Sequence, residues 1–517
     1  MEAGVREYGL YVDGEWVEAS TKELIESIDP SNGEVVARAH RAGTRDARRA
    51  IEAARGAFER SGWPERSPEE RRELLIAVLD SLSERLTELA ELEARDTGLT
   101  IRAATAMVGA GIQQARELVD IAAKIEVEEP LPPSGVSQTA DSRLVRSPYG
   151  VVSAITPFNA PFVLSAWKVF PALAMGNTVV HKPSPLTPAT ACEVAAAFDA
   201  AGCPPGVFNV LPGGGADVGE EMVSNPFVDR VAFTGSTEVG RRIAALAART
   251  VKPVSLELGG KSANLILDDA DLDVAIPGAL WAVYLHQGQT CQAGTRLFVP
   301  ERMLEEVVDR LVQTAAQLRV GPTLSWDTDL GPIASRPQLE RVERYVGIGR
   351  KEGAVLACGG HRLADEGLQN GYYYAPTIFT GVGPRSRLAQ EEVFGPVLGV
   401  VSYREEDEAV AMANDTIFGL AAAVWGTNLA RASAIARRLS AGTVWVNDYH
   451  MLYAAAPYGG WRQSGLGQEL GPAGCLAYAR AKHLWVERPG TLRARAWTPI
   501  IGLDRVFGVD YGEDPPN

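Results

Sequence analysis

The 517-residue chain has five cysteines, Cys192, Cys203, Cys291, Cys358 and Cys475, and no C-x-x-C pair among them. An odd, scattered set encodes neither a disulfide framework nor a zinc ribbon, and it points to a reducing, cytoplasmic setting. The six histidines (His40, His181, His286, His361, His450, His483) show no H-x-x-x-H spacing and no Cys/His cluster, so no metal is expected. Basic residues fall short of acidic ones, 50 against 65, which leaves a net charge of −15. That sign repels nucleic-acid phosphates and anionic lipid surfaces, so neither is an expected partner. A long apolar run is also missing. The most apolar stretch, 151–180, is interrupted by Pro157, Asn159, Pro161, Lys168 and Pro171 before it reaches the roughly 20 residues a membrane span needs. It reads as buried core. The first seven residues carry acids where a secretion signal needs basic residues and then an apolar stretch, so no such signal is expected.

What is present is an ordinary globular composition, 46% hydrophobic and 22% charged, in a chain long enough for two to four domains of about 100–200 residues each. Residues 43–127 alternate apolar and charged positions at helical spacing, as in Ala77, Leu79, Leu82, Leu86 and Leu89, and predict a run of surface helices. Prolines at 130, 132 and 133 break that pattern, and 143–156 reads as extended strands with a turn. Short β-rich runs then alternate with helical stretches: 178–181 with 189–201, 207–211 with 216–224, and 230–234 with 238–250. This alternation predicts a parallel α/β sheet, with ligands at the carboxyl ends of its strands. A second α/β stretch runs from about 268 to 442, and the last segment, 481–517, is short and rich in Pro, Gly and charge.

Three segments carry chemistry. Residues 231–240, V-A-F-T-G-S-T-E-V-G, read as a strand, a small-residue turn and a helix start. Unsatisfied N–H groups at such a start suit a phosphate; Gly235 admits close approach, and Ser236 can cap the helix or donate to a phosphate oxygen. An ordinary capped helix gives the same pattern, and no strict G-x-G-x-x-G is present. Cys291 lies in a small polar loop, H-Q-G-Q-T-C-Q-A-G-T, whose access and N–H donors suit a reactive thiolate, although a lone cysteine is commonly a small buried hydrophobe. Glu257, in L-E-L-G-G-K, stands in an apolar strand beside two glycines. That setting raises a carboxylate pKa and suits a general base; the alternative is an ion pair with Lys261 or Lys252.

In order and spacing these motifs resemble the aldehyde dehydrogenase superfamily over nearly the whole chain, from about Tyr11 to Val486. The segments E-L-G-G-K and G-Q-T-C match its two signature regions, with 291 − 257 = 34 positions between acid and thiol. Further matches are Pro157-Phe-Asn159, the W-K-x-x-P-A-L-A-x-G-N segment from Trp167 to Asn177, Glu392-Val-Phe-Gly-Pro396, and the Gly-rich segment from Gly459 through Glu469 to Gly471. The resemblance implies an α/β fold with a Rossmann-type cofactor domain (1–127 and 150–259), an α/β catalytic domain (260–477) and a small β oligomerisation element (128–149 and 478–490), followed by a C-terminal extension (491–517). It also implies a homodimer or homotetramer.

For mechanism, the resemblance implies Cys291 as the nucleophile on an aldehyde carbon, with the Asn159 amide and the Cys291 N–H as oxyanion hole. It implies Glu257 as activator of the hydrolytic water, and Lys168 and Glu469 as an outward proton relay. At the nicotinamide end it assigns Glu392 to the ribose and Phe394 to packing. Elsewhere in the cofactor site it assigns Ile155, Thr156, Pro157, Phe158, Gly215, Phe233, Gly235, Ser236, Val239, Leu258 and Gly259. Lys182 and Ser184 match the family's K-P-S-E, but Pro185 replaces its glutamate. A carboxylate there accepts ribose hydroxyls and repels a 2′-phosphate, so the cofactor is expected to be NAD+ or NADP+. The aldehyde tunnel is implied to be lined by Val163, Leu164, Trp167, Leu285, Thr290, Gln292, Leu452 and Tyr458, a set without fixed charge that suits a neutral apolar aliphatic or aromatic aldehyde. His286 reads as a satisfied helix-end residue, and His450, Tyr453 and Trp461 as possible polar contacts. A CoA-acylating relative is disfavoured by the presence of Glu257, and a silent scaffold by retention of Cys291, Glu257, Asn159 and Lys168. The apolar residues of the extension are expected either to cover the chain's own catalytic domain or to dock on a neighbouring subunit.

Overall fold

A computed structural model describes residues 5–132, 140–365, 367–488, 490–495 and 497–510. An eight-stranded sheet has five parallel strands at its centre, in the order Val254–Glu257, Arg230–Thr234, Val151–Ile155, Thr178–Lys182 and Phe208–Val210. The chain runs from Val151–Ile155 outward in one direction through two strands, then returns to the other side for the remaining two. That reversal opens a crevice at the carboxyl ends of the strands, where Ile155, Lys182, Thr234 and Glu257 lie. The strands are buried on both faces, which is why they read as continuous apolar runs rather than alternating ones. Antiparallel edges close the sheet: Leu10–Val12 and Glu15–Val17 on one side, and Gly465–Leu466 from far along the chain on the other.

The helices expected between 43 and 127 are Thr44–Arg60, Pro68–Glu84, Leu86–Thr97 and Ile101–Ala123. Ser67 begins the second of them with a capping box, its hydroxyl accepting from the Glu70 N–H while Glu70 reaches back. The helix expected at 216–224 is instead a π-turn, Gly215–Gly219, followed by Glu220–Ser224. Helix Pro161–Ala174 is buried along its whole length, Lys168 included, and Pro161 at its start costs no hydrogen bond. It is overlaid by Ile101–Ala123, which brings that surface helix to the mouth of the site.

A second sheet of seven strands is parallel except for the edge strand Val355–Cys358, and places Ala263–Ile266 and Arg296–Pro300 at its centre. A third, antiparallel sheet joins Glu128–Pro130, Ala140–Pro148 and Ala479–Glu487, leaving Leu484, Trp485 and Val486 exposed. Part of the expected oligomerisation element, 133–139, lies outside the described residues, as do 496 and 511–517 of the extension. The described part of the extension forms a single 3-10 turn, Leu492–Ala494, and two short helices, Trp497–Ile500 and Leu503–Phe507. Its Trp497, Ile500, Ile501, Val506 and Phe507 are exposed, so these side chains do not cover the chain's own catalytic domain. No described helix is long and apolar enough to cross a membrane.

Candidate active site

Cys291 owes its position to a broken helix. Leu272–Tyr284 runs toward the cleft, and His286 and Gln287 then adopt left-handed backbone angles, φ 52° each, that only a defined loop sustains in non-glycine residues. Gln289 is fully buried and locks the loop: its Oε1 accepts from the Ala334 N–H at 3.0 Å and its Nε2 donates to the His286 carbonyl at 3.2 Å. The Asn159 amide donates to the Gln289 carbonyl at 2.8 Å, which fixes it beside the thiol. His286 itself is buried, and desolvation lowers its pKa to about 4. Among the described residues its Nε2 finds no partner, so it is not the fully satisfied residue expected from sequence, and it lines neither cavity described below.

Two hollows meet at Cys291. One is a cavity of about 390 Å³ lined by Val163, Leu164, Trp167, Leu285, Thr290, Gln292, Leu452 and Tyr458, the eight tunnel residues, all in one place. Asn159, Glu257, Cys291 and Glu469 join them, as does His450, expected as a polar contact; the rest of the wall was not anticipated. Ala103, Ala106, Met107, Ala110 and Gln114 come from Ile101–Ala123, and Trp281 and Met451 from elsewhere. The periodic row of small residues at 103, 106 and 110 was the available signal, since a helix face that small leaves space rather than filling a core. Tyr453 and Trp461 are exposed and outside the cavity.

The other hollow is the dinucleotide-sized cleft, in two connected parts of about 190 and 360 Å³ that share Pro157, Thr234 and Gly235. The nearer part is lined by Phe158, Asn159, Ser236, Gly259, Glu392 and Phe394 as well as Glu257 and Cys291. The farther part takes in Ile155, Thr156, Lys182, Ser184, Pro185, Gly215, Phe233 and Val239, and adds Arg242 and Leu246, which sequence reasoning missed. Among the anticipated cofactor residues only Leu258 has its side chain outside the cleft, packed where a Cβ on Gly240 would strike it. Ser236 does cap the helix Thr237–Ala248, accepting from the Val239 N–H at 3.4 Å. The Lys182 ammonium donates to the Pro183 and Gly213 carbonyls at 2.9 and 3.1 Å, and burial lowers its pKa to about 8. Glu392 accepts from the Gly260 N–H at 3.3 Å and approaches so closely that a Cβ on Gly259 would meet its carboxylate at 2.5 Å. Gln338 and Arg341 hold the loop behind it through the Val393 and Phe394 carbonyls.

The electrostatics centre on two buried acids. Glu257 is 3% exposed, and among the described residues neither carboxylate oxygen has a hydrogen-bond partner. Desolvation, reinforced by Glu469 and opposed by Lys168, drives its pKa well above the carboxylate range. The pairing with Lys261 or Lys252 that sequence left open is absent: Lys252 donates instead to the Asn225 carbonyl. Glu469 by contrast is ion-paired with Lys168 in a fully buried contact. The Cys291 thiol is pushed up to about 12, chiefly by burial, with Tyr458 acting against it and Glu392 and Glu257 adding to it. The expected thiolate-stabilising loop is therefore overruled by desolvation, because its donors do not outweigh the loss of water. Among the described residues no three His, Cys, Asp or Glu side chains gather as a metal site would require.

A model of the aldehyde dehydrogenase family matches residues 16–484. The betaine aldehyde dehydrogenase of Bacillus subtilis (strain 168) is 42% identical over 479 residues, 92% of this chain and 96% of that protein. The putative aldehyde dehydrogenase DhaS of the same organism is 41% identical over 478 residues, 92% and 95%. Among solved structures, betaine aldehyde dehydrogenase from Staphylococcus aureus in complex with NAD+ superposes with a TM-score of 0.92 at 38% identity, covering 94% of this chain and 96% of that one. With a match of this length, and a thiol and a carboxylate facing a dinucleotide-sized cleft, the chain belongs to the aldehyde dehydrogenase family of oxidoreductases.

Proposed function

We propose that this protein oxidises an aldehyde to a carboxylic acid with NAD+ or NADP+, with Cys291 as nucleophile and Glu257 as general base. One observation carries this: Asn159, Leu164, Thr234, Glu257 and Cys291 line both hollows, so the thiol and an unpaired carboxylate face a substrate on one side and a cofactor on the other. A dinucleotide fits the residues present: a capped helix start, backbone exposed at Gly235 and Gly259, and the buried carboxylate of Glu392. When bound, NAD(P)+ supplies the hydride acceptor.

The chain's own residues do the rest. Cys291 adds to the aldehyde carbon, and the Asn159 amide with the Cys291 N–H receives the oxyanion, a preorganised arrangement that typically lowers a barrier by several kcal/mol. After hydride loss the thioester carbonyl stays on Cys291. Glu257, whose raised pKa suits proton abstraction, takes a proton from water that attacks this carbonyl, and the carboxylic acid leaves from sulfur. Lys168 and Glu469 pass the proton outward.

Lys182, Ser184 and Pro185 with Arg242 are the adenosine end; without a carboxylate at 185, both cofactors are accepted. The substrate reading is a neutral apolar aldehyde of medium size, supported by the side chains of Val163, Leu164, Met107 and Leu452. A second reading, a quaternary-ammonium aldehyde such as the betaine aldehyde named for the B. subtilis and S. aureus betaine aldehyde dehydrogenases, is favoured by one feature, the paired Trp167 and Tyr458 rings 5.5 Å apart, since aromatic faces attract such cations. Segments 1–127 with 150–259, 260–477, and 128–149 with 478–490 are assigned to cofactor, catalysis and assembly. The exposed Leu484, Trp485 and Val486 support the last of these.

The test is NAD(P)H formation at 340 nm with aliphatic, aromatic and quaternary-ammonium aldehydes, each with NAD+ and NADP+, without coenzyme A. Turnover that disappears in Cys291→Ala is expected. Activity only on adding coenzyme A would overturn the role of Glu257, and a preference for NAD+ above about a hundredfold in kcat/KM would overturn the dual-cofactor reading.

A further inference from the structure

A chain of polar contacts leads away from the nucleophile through side chains that so far have only lined the cavity. The Cys291 sulfur lies 3.8 Å from the Tyr458 hydroxyl, which donates to Gln292 Oε1 at 2.7 Å. Gln292 Nε2 is 2.8 Å from His450 Nδ1, and His450 Nε2 is 3.2 Å from the Ala282 carbonyl. A carbonyl only accepts, so His450 carries its proton on Nε2 and presents a bare Nδ1 to the Gln292 amide. Gln292 Oε1 is then free to accept from Tyr458, and the Tyr458 oxygen to accept from the thiol. Every link runs in one sense: thiol to phenol, phenol to amide, amide to imidazole, imidazole to backbone. Burial keeps His450 neutral, lowering its pKa to about 4. The Tyr449 hydroxyl donates to the Gln292 carbonyl at 2.7 Å, so the amide is anchored through its backbone as well.

This order holds only while the thiol keeps its proton. Once that proton is lost to solvent through the open cavity, the sulfur can only accept, and the Tyr458 hydroxyl faces it with its hydrogen turned toward Gln292. We propose that Tyr458 is a catalytic residue that stabilises the Cys291 thiolate by turning its hydroxyl from Gln292 to the sulfur, and that Gln292 and His450 are positioning residues that hold this hydroxyl in reserve. The proposal rests on the reading of Cys291 as nucleophile.

Among the described residues, besides Tyr458 only the Gln292 backbone N–H favours the ionised thiol; the other side chains that bear on it work against its ionisation. Glu257 lies on the strand behind it, Glu392 on the loop across the cleft, and Tyr449 beneath Gln292. The Lys168–Glu469 pair stands beyond Glu257. Tyr458 is thus the side chain that favours the charged form. Its hydroxyl is separable from its packing, because the ring, edge-on to Trp167, is retained in phenylalanine.

The experiment follows iodoacetamide alkylation of Cys291 in the full-length, cofactor-free protein between pH 7 and 10, reading the Cys291 peptide by mass spectrometry. Tyr458→Phe is expected to slow alkylation about tenfold at each pH, equivalent to a thiol pKa about one unit higher. Gln292→Met, which releases the hydroxyl, is expected to speed it. Opposite shifts cannot come from a general loosening of the site. Rates in Tyr458→Phe equal to the parent's, or both variants moving in the same direction, would overturn the proposal. Alkylation of Cys291 without loss of turnover would instead overturn the nucleophile reading beneath it.

Discussion

The two hollows that meet at Cys291 are built on different plans. The dinucleotide cleft is made from strand ends, a helix start and glycines, so its shape is fixed by backbone and by the crossover of the central sheet. The aldehyde cavity is made from side chains projecting off three helices, Ile101–Ala123, Pro161–Ala174 and Leu272–Tyr284, and from the loop around His450. A backbone-built site changes ligand only when one decisive side chain changes. A side-chain-built site can be resized at many positions without disturbing the fold.

The comparison is sharpest at Pro185, where one side chain stands for the cleft's choice of cofactor. Restoring a carboxylate with Pro185→Glu is expected to cut kcat/KM with NADP+ while leaving NAD+ equal or better, moving their ratio about a hundredfold. That is the scale of the few kcal/mol by which like charges repel at a binding site. Steady-state kinetics with the two cofactors checks it, and an unmoved ratio would show that this end of the cleft does not read the 2′-position. On the other side, Ala110 lies exposed at the cavity mouth on a helix that tolerates leucine well. Ala110→Leu is expected to lower kcat/KM for bulky aldehydes roughly tenfold and to spare short ones. An equal loss for both would mean that this wall is not a gate for size.

The same division explains what the sequence disclosed. The strands at 178–181 and 230–234 and the cap at Ser236 were legible because backbone-built features leave fixed residue types at fixed offsets, whereas the pairing of Glu257 with Cys291 came through the family resemblance. The wall contributed by Ala103, Met107 and Gln114 was not, because its place over Pro161–Ala174 depends on helix packing between segments some 50 residues apart. Nor could sequence rank desolvation against local donors at Cys291. The loop composition suggested a stabilised thiolate, and burial reversed it. Arg242 reads as a surface residue of an amphipathic helix, and only the fold brings it to the rim of the adenosine end.

Where the two plans meet, chemistry is supported at the expense of stability, and Glu257 is the place to measure it. Its folded-state pKa is raised by burial, so the folded protein holds a proton that the unfolded chain gives up. The stability gained by holding that proton is complete below the unfolded value of about 4.3 and is lost as pH rises to the folded value. Glu257→Gln keeps the shape without the ionisation. It is expected to raise the melting temperature by about 2 °C at pH 8 and to change it little at pH 4.5, while abolishing hydrolytic turnover. Glu469 supplies the contrast, since its buried charge is already met by Lys168. Glu469→Gln leaves a lysine uncompensated and is expected to lower the melting temperature at pH 8. Thermal melts of the two variants at both pH values check the pair of signs. A fall with Glu257→Gln at pH 8 would mean that a partner stabilises this carboxylate in its charged form, and the contrast between a bare acid and a paired one would fail.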